Sequence, residues 1–307
     1  MKFVFLMDPL ETVVYEKDTT FVLMKEAAHC GHHVYYLPKS GLHLSTEGLS
    51  FDLTEVKPTD DPSSPFEILS SITLKDTEID VVFIRTDPPF DYGYLMHTWI
   101  LDRCSPNVRV VNSPTGIRTV NEKVWATQFK NLVPPTLVSS SKVHINAFLE
   151  THQKIVVKPT DGFGGKDIHI LELGGANVEE IVASMTKDGV ESIISQAFVA
   201  ESADGDKRIL LLDGEPLGAV LRVHSKDDFR NNFFAGGTAE ACDITPRDLE
   251  IIDVLKPHLK ALGLFFVGID IMGDYLIEVN VTSPTCLQEM NTFYEKQLEK
   301  DVIASLT

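Results

Sequence analysis

Cysteine is scarce in this 307-residue chain, and its four copies, Cys30, Cys104, Cys242 and Cys286, are scattered with no pair at metal-binding or redox spacing. They read as reduced thiols of a cytoplasmic protein rather than as a disulfide framework or a zinc site. Basic residues are also in deficit: 27 Lys and Arg stand against 45 Asp and Glu, a formal net charge of -18. Such a chain repels polyanions, so a broad electrostatic contact with nucleic acid or an anionic membrane is excluded. Any phosphate it binds must be met by a local cation cluster or by backbone N–H groups. Long apolar runs are missing too. No segment approaches the ~20 residues of a membrane span, and the run after Met1 stops at Asp8, too short for the apolar region of a signal peptide. Internal repeats and low-complexity tracts are absent. What is there is a globular composition, 43% hydrophobic, enough for two or three cooperating domains that each bury a core.

The first third alternates short apolar runs with helical stretches. Strands are expected at Phe3–Leu6, Val34–Leu37, Ile79–Ile84 and Val108–Val111, and a helix after Asp18, Thr19 and Thr20, closed by Gly31. This rhythm predicts an α/β domain with a mostly parallel sheet and a ligand at its strand ends. The stretch from Thr54 to Ser64, rich in Pro, Asp, Ser and Thr, reads as a surface excursion. Ser113-Pro114 starts a helix near the beginning of a second region. Between Leu137 and Val199 the order strand, helix, strand, glycine-rich loop, strand, helix, strand suits an α+β lobe. Two hairpins follow, Arg208–Leu212 with Leu217–Val223 and Phe265–Met272 with Tyr275–Val279, turning at Asp213-Gly214 and Gly273-Asp274.

Most of the chemistry lies in this carboxyl half. Glu278 and Asn280 are two apart on an extended strand and project from one face, and Asp270 can lie opposite them across the ladder. Three converging oxygen ligands suit a hard cation such as magnesium. The three residues alone equally suit a turn that carries acidic groups to solvent. Their apolar neighbours Val267, Ile269, Ile271, Ile277 and Val279 bury the strands, and polar groups among them need partners. Lys158 ends the apolar strand Ile155–Val157 and opens a loop with Gly162, Gly164 and Gly165, whose backbone can approach a phosphate closely while Lys158 supplies charge. A glycine-rich hairpin turn is the plainer reading of that loop. Lys123, Arg208, Arg222, Arg230 and Asn232, with Ala235-Gly236-Gly237, form a basic set in an acidic chain. An ordinary surface ion pair accounts for any one arginine taken singly. Val223–Thr238 reads as a flexible loop able to act as a lid. Arg85-Thr86-Asp87-Pro88-Pro89-Phe90-Asp91 closes a buried strand, where ligands of open α/β sheets sit.

Together these segments resemble the prokaryotic glutathione synthetase family over nearly the whole chain. The resemblance is carried by Met7-Asp8-Pro9, Lys17-Asp18-Thr19, Asp87-Pro88-Pro89-Phe90-Asp91, Asn121-Glu122-Lys123, Asp204-Gly205-Asp206-Lys207-Arg208, Val267-Gly268-Ile269-Asp270 and above all Glu278-Val279-Asn280-Val281-Thr282-Ser283-Pro284-Thr285-Cys286. It implies an ATP-grasp fold behind an N-terminal parallel-sheet domain, with domains at 1–118 and 119–307, the second split into a lid lobe to about 200 and a catalytic lobe beyond. It further implies a ligase that joins glycine to the cysteine carboxylate of γ-glutamylcysteine through an acyl phosphate, yielding glutathione, ADP and phosphate. In that pattern Lys123, Lys158, Gly162, Gly164, Gly165, Gln196, Phe198, Val199 and Asp206 hold ATP. Asp270, Glu278 and Asn280 hold a pair of magnesium ions, with manganese as the alternative. Arg208 and Arg222 are the catalytic cations, while Asp18, Arg85, Arg230, Asn232, Gly236, Gly237, Ser283, Pro284 and Thr285 contact peptide and glycine. A homotetramer, or else a dimer, is implied as well. Two positions depart from the pattern: Thr238 stands where it has an arginine, and Thr86 where it has a lysine, so anion contacts there are lost or relocated. The rival readings are another ATP-grasp carboxylate–amine ligase with a different acceptor, and a nucleotide-binding module without catalysis. A dinucleotide oxidoreductase is disfavoured, because the first strand runs into Met7-Asp8-Pro9 and lacks the Gly-x-Gly-x-x-Gly turn.

Overall fold

The computed structural model describes residues 1–162, 165–223 and 238–307, and in it three sheets follow one another along the chain. The first comprises β1 (Lys2–Leu6), β2 (His33–Leu37), β3 (Leu42–Ser45), β4 (Gly48–Pro58), β5 (Phe66–Lys75), β6 (Val81–Ile84) and β7 (Arg109–Val111), in the order β3-β4-β2-β1-β6-β7 with β5 paired to β4. The strands β2, β1, β6 and β7 are parallel. Phe3 to Leu6 and Val81 to Ile84 are buried at every position, as strands covered on both faces must be. The other three strands are antiparallel additions, and they correct the sequence reading of Thr54–Ser64. Its first five residues complete β4, whose Leu49, Phe51, Leu53 and Val56 are buried, and only 59–65 is loop. Polar residues between apolar ones at every second position had hidden a half-buried strand. Around this sheet lie α1 (Thr19–His29), α2 (Tyr92–Leu101) and α3 (Pro114–Thr119), each begun by a capping side chain: Asp18, Asp91 and Ser113.

The second sheet holds β8 (Thr136–Ser139), β9 (Lys154–Pro159), β10 (His169–Glu172) and β11 (Ile193–Ala197), all antiparallel. It packs through Ile155, Val157, Leu171 and Ile193 on α4 (Lys142–His152) and α5 (Val178–Met185), against Ile145, Leu149 and Val182. The alternate residues Val156, Lys158 and Ile170 therefore face the other way. The third sheet runs β14-β13-β12-β15-β16, from β12 (Asp206–Leu212), β13 (Glu215–Val223), β14 (Thr238–Glu240), β15 (Phe266–Met272) and β16 (Tyr275–Asn280). Helix α6 (Pro246–Ala261) covers it behind a Thr245/Asp248 capping box, and α7 (Leu287–Tyr294) and α8 (Glu299–Ala304) close the chain.

First and third sheets share their cores. Val4, Leu6 and Ile84 belong with Ile209, Leu211 and Val267, while Phe3, Phe5 and Phe83 belong with Leu210, Val220, Phe266 and Leu287. A buried amide joins them. Asn112, just past β7, donates through Nδ2 to the carbonyls of Phe266 and Val281, and its Oδ1 accepts from the N–H groups of Phe265 and Phe266. The ends of the parallel strands are thereby fixed over the edge of the third sheet. The loops after β6 and after β16 meet there, with Ser283 Oγ donating to the Arg85 carbonyl at 3.3 Å.

Candidate active site

A cavity of about 450 Å³ opens between the second and third sheets. Its floor is one face of the third sheet, and strand register decides which side chains share it. Arg222 on β13 lies opposite Asp206 on β12. One step along, Arg208 on β12 lies opposite Asp270 on β15, which lies opposite Glu278 on β16. Asn280 is the next residue on that face and pairs with Gly268. A Cβ at 268 would come within 3.2 Å of Arg208 Cδ and 3.0 Å of Pro284 Cβ, closer than ordinary van der Waals contact, so a side chain there would crowd the arginine stem.

Four of these groups form one buried charge cluster. Arg208 grips Asp270 through Nε and Nη2, Arg222 grips Asp206 in the same forked way, and Arg222 Nη2 also reaches Asp270 Oδ2 at 3.0 Å. Burial pushes the Asp270 carboxyl up, but the two arginines more than offset this and hold it below the usual carboxylate range. Asp206 is pushed up to about 6, chiefly by burial, against the pull of Arg222. Neither arginine is thus a free cation, and both meet on a single carboxylate.

Two lysines stand above this floor. Lys123 Nζ donates to the Gly162 carbonyl at 2.5 Å and lies 3.3 Å from Glu278. Burial opposes its charge, but Glu278 and Glu122 outweigh it and its pKa is raised. Lys158 is different. It is buried, its Nζ reaches only the neutral amide oxygen of Gln196, at 3.5 Å, and burial lowers its pKa. An ammonium buried without a carboxylate partner among the described residues is set up to meet an anion. Val156 and Ile170, opposite each other in the β9–β10 ladder, form an apolar wall beside Lys158, and Gln196 sits opposite Val156 on the other side. Ala197, Phe198 and Val199 continue that wall. An apolar slot ending in a lysine suits a flat base joined to phosphates.

Asp270, Glu278 and Asn280 offer only oxygen to a cation, and Asn280 Nδ2 donates to Asp270 Oδ2 at 3.3 Å, leaving its own oxygen available. Among the described residues no three His, Cys, Asp or Glu are grouped as a metal cluster; here the third donor is an amide. Two carboxylates and one amide on adjacent strands, with Asp270 held ionised, fit a hard divalent ion that keeps several waters.

Ser283 and Thr285 also line the cavity, with Gly165. Pro284 packs at Gly268 instead, and Asp18 and Arg85 are not among the cavity-lining residues: Asp18 caps α1, and Arg85 is buried with Nε on Thr20 Oγ1. Gly164, Arg230, Asn232, Gly236 and Gly237, with 224–237 of the expected lid, fall outside the described residues. Sequence reasoning had given Glu122 no role. Its Oε1 accepts from the Val281 and Thr282 N–H groups and from Thr282 Oγ1, so it fixes the chain just after β16 while its neighbour Lys123 reaches the cavity. Its composition and spacing do not distinguish it from a surface glutamate; only its place in the matching stretch Asn121-Glu122-Lys123 could have marked it. Val156 and Ile170 were within reach, as alternate positions beside Lys158.

Comparison with known proteins agrees with this architecture. Models of the prokaryotic glutathione synthetase N-terminal domain and ATP-grasp domain match residues 1–118 and 122–295. Glutathione synthetase of Vibrio parahaemolyticus is 38% identical, covering 94% of this chain and 92% of the relative. That of Synechocystis sp. is 40% identical, with 100% and 99% covered. Among solved structures, the D-cycloserine synthetase DcsG aligns over 100% of both chains with a TM-score of 0.67 at 16% identity. The macrocyclase MdnC from Microcystis aeruginosa aligns over 99% of this chain and 100% of its own, with a TM-score of 0.66 at 13% identity. Those two establish a shared fold and nothing finer. With both family models matched and relatives this similar along almost the whole length, the chain belongs to the prokaryotic glutathione synthetase family.

Proposed function

We propose that this protein is an ATP-dependent ligase joining glycine to the cysteine carboxylate of γ-glutamylcysteine, with glutathione, ADP and phosphate as products. The observation that carries the reading is Lys158: a buried cation without a carboxylate partner among the described residues, between an apolar slot and a row of oxygen donors suited to a cation. Lys123 and Lys158 hold the nucleotide's phosphates, and Val156, Ile170 and Gln196 to Val199 enclose its base. Asp270, Glu278 and Asn280 hold magnesium, or manganese in its place, and the bound ion neutralises phosphate charge. Arg208 and Arg222 lie beside those ligands, so negative charge developing on the transferred phosphoryl group meets fixed donors. A carboxylate does not react with an amine directly; phosphorylation makes it an acyl phosphate, which the glycine amine then attacks. Arg85, Asp18, Ser283, Pro284 and Thr285, with Arg230, Asn232, Gly236 and Gly237, contact the peptide and glycine, the role the family resemblance implies for them. The division of labour follows domains at 1–118 and 119–307. The assembly is a homotetramer, or else a dimer, and the compartment is the cytoplasm; no helix among the described residues is long and apolar enough to cross a membrane.

ADP release, measured with γ-glutamylcysteine and glycine each omitted in turn, tests the reaction. Release is expected only with both present. Full release without glycine means hydrolysis or another acceptor and overturns the assignment.

A further inference from the structure

An amino acid reaches the cavity as an ammonium ion, which has no lone pair with which to attack. The ligase reading therefore needs a base on the acceptor side. No histidine lines the cavity among the described residues; five carboxylates do, Asp87, Glu122, Asp206, Asp270 and Glu278. Four of them are committed. Arg222 grips Asp206, and Arg208 grips Asp270. Glu278 faces Lys123 at 3.3 Å among the cation donors, and Glu122 Oε1 accepts three hydrogen bonds from Val281 and Thr282. A carboxylate stabilised by a guanidinium fork, a cation or several donors is a weak proton acceptor.

Asp87 is differently placed. Among the described residues it forms no ion pair: Arg85 acts on it only through the field, and its side-chain hydrogen bond is to Ser283. The residue is exposed at the cavity, yet enough protein surrounds it that burial pushes its carboxyl up. Asp8 and Asp18 push the same way, while Arg85 and Ser283 pull against them, and Tyr94 of α2 also feels its charge. A raised carboxylate is the stronger base. Its backbone is fixed: the Asp87 N–H donates to Asp8 Oδ2 at 2.8 Å, Asp8 is held by Lys39 at 2.6 Å, and Pro88 and Pro89 follow. Its partner Ser283 stands three residues beyond Asn280, at most about 10 Å of extended chain. Asp87 thus borders the ground between the cation donors and the first sheet, where an acyl phosphate and its attacking amine have to meet.

We infer that Asp87 is the general base that takes a proton from the acceptor amine. The inference rests on the ligase reading. One proton passes from nitrogen to the Asp87 carboxylate and on to solvent, and the freed lone pair forms the bond to the acyl carbon. The bond from that carbon to the phosphoryl oxygen breaks, phosphate leaves with its electron pair, and the second nitrogen proton goes to the departing phosphate.

The experiment compares wild type, Asp87→Asn and Asp87→Ala with two acceptors at saturating ATP and γ-glutamylcysteine. Glycine carries the proton that must be removed; hydroxylamine is already neutral at pH 7 and traps an acyl phosphate as the hydroxamate without a base. Glycine turnover is expected to fall roughly a hundredfold or more in both variants, with hydroxamate formation within about threefold of wild type. The pH profile gives a second readout. Wild-type kcat with glycine falls as the pH drops through the Asp87 pKa and levels off above it, whereas the variants' rate keeps climbing roughly tenfold per pH unit with the neutral fraction of the amine. Equal losses with both acceptors overturn the inference, because a structural or binding role weakens both alike, and so does unchanged glycine turnover. If wild type forms no hydroxamate, the pH profile decides, and a plateau shared by wild type and variants overturns the base. A wild type that releases no ADP with either acceptor defeats the ligase reading and the base with it.

Discussion

Glu278→Gln separates two accounts of the same residue by about two orders of magnitude. The side chain is partly exposed, and it pairs with Lys123 at 3.3 Å. If that ion pair is its whole role, the substitution costs at most ~1 kcal/mol, about fivefold in any rate that depends on it. The structural cost is limited further, because glutamine keeps an oxygen at the same place and Lys123 retains the Gly162 carbonyl. The thermal midpoint is expected to fall by no more than roughly 2–4 °C. As a cation ligand opposite Asp270, Glu278 supplies one of only two carboxylates in the set. Its neutralisation removes several kcal/mol of charge stabilisation from phosphoryl transfer, and about 4 kcal/mol corresponds to roughly a thousandfold in kcat. The assay is ADP release at saturating ATP, magnesium and both co-substrates, beside a thermal melt of the same preparation. A folded variant whose kcat stays within tenfold of wild type refutes the metal assignment, and with it the reason for placing phosphates over this strand pair.

Three further outcomes follow from named contacts. Gly268→Ala pushes a methyl group against Pro284 and the Arg208 stem; a displaced arginine is expected to lower kcat by about tenfold or more, seen in steady-state kinetics with the fold intact by circular dichroism. Asn112→Leu strands four backbone groups at the joint between the first and third sheets, a loss of roughly 4 kcal/mol even at the low end for unsatisfied groups, so a midpoint about 10 °C lower is expected in a thermal melt. Of the four thiols only Cys30 is exposed, while burial pushes Cys104 up to about 12, Cys242 up to about 11 and Cys286 also upward; a thiol reagent at pH 8 is expected to titrate one group in the native protein and four after unfolding.

The elements legible in the sequence were those whose pattern is local. Both hairpins of the third sheet appear within a residue or two of their expected limits, since each couples alternating apolar residues to a glycine turn. The Asp270–Glu278 pairing followed from the same arithmetic of turn and register. The β4–β5 hairpin was missed because its polar residues outnumber the buried ones at its far end, where β5 is exposed at all but a few positions. Sequence also placed Lys158 and Lys123 at the site, but not the difference between them. That difference depends on which acids the fold brings into contact: Glu278 comes within 3.3 Å of Lys123, whereas Lys158 hydrogen-bonds Gln196 and meets Glu278 and Asp270 only through the field among the described residues.

What no local pattern encodes is the relation between the halves, and the site depends on it. Arg85 follows a strand of the first sheet, whereas Ser283 follows a strand of the third, and their contact exists because Asn112 and Glu122 tie the chain on either side of it. Both are single polar residues whose surroundings in sequence look like any loop. Each satisfies several backbone groups that neither sheet can satisfy alone, which is the burden that falls on a junction between two cores. Phosphoryl transfer needs the peptide carboxylate and the nucleotide held to within a fraction of an ångström. On the proposed assignment the peptide side is built on the parallel sheet and the phosphate side on the antiparallel one, so their alignment would be no more exact than that junction. A chain with all the charged residues of the cavity but without Asn112 and Glu122 would carry the ligands of the reaction and lack the distance between them.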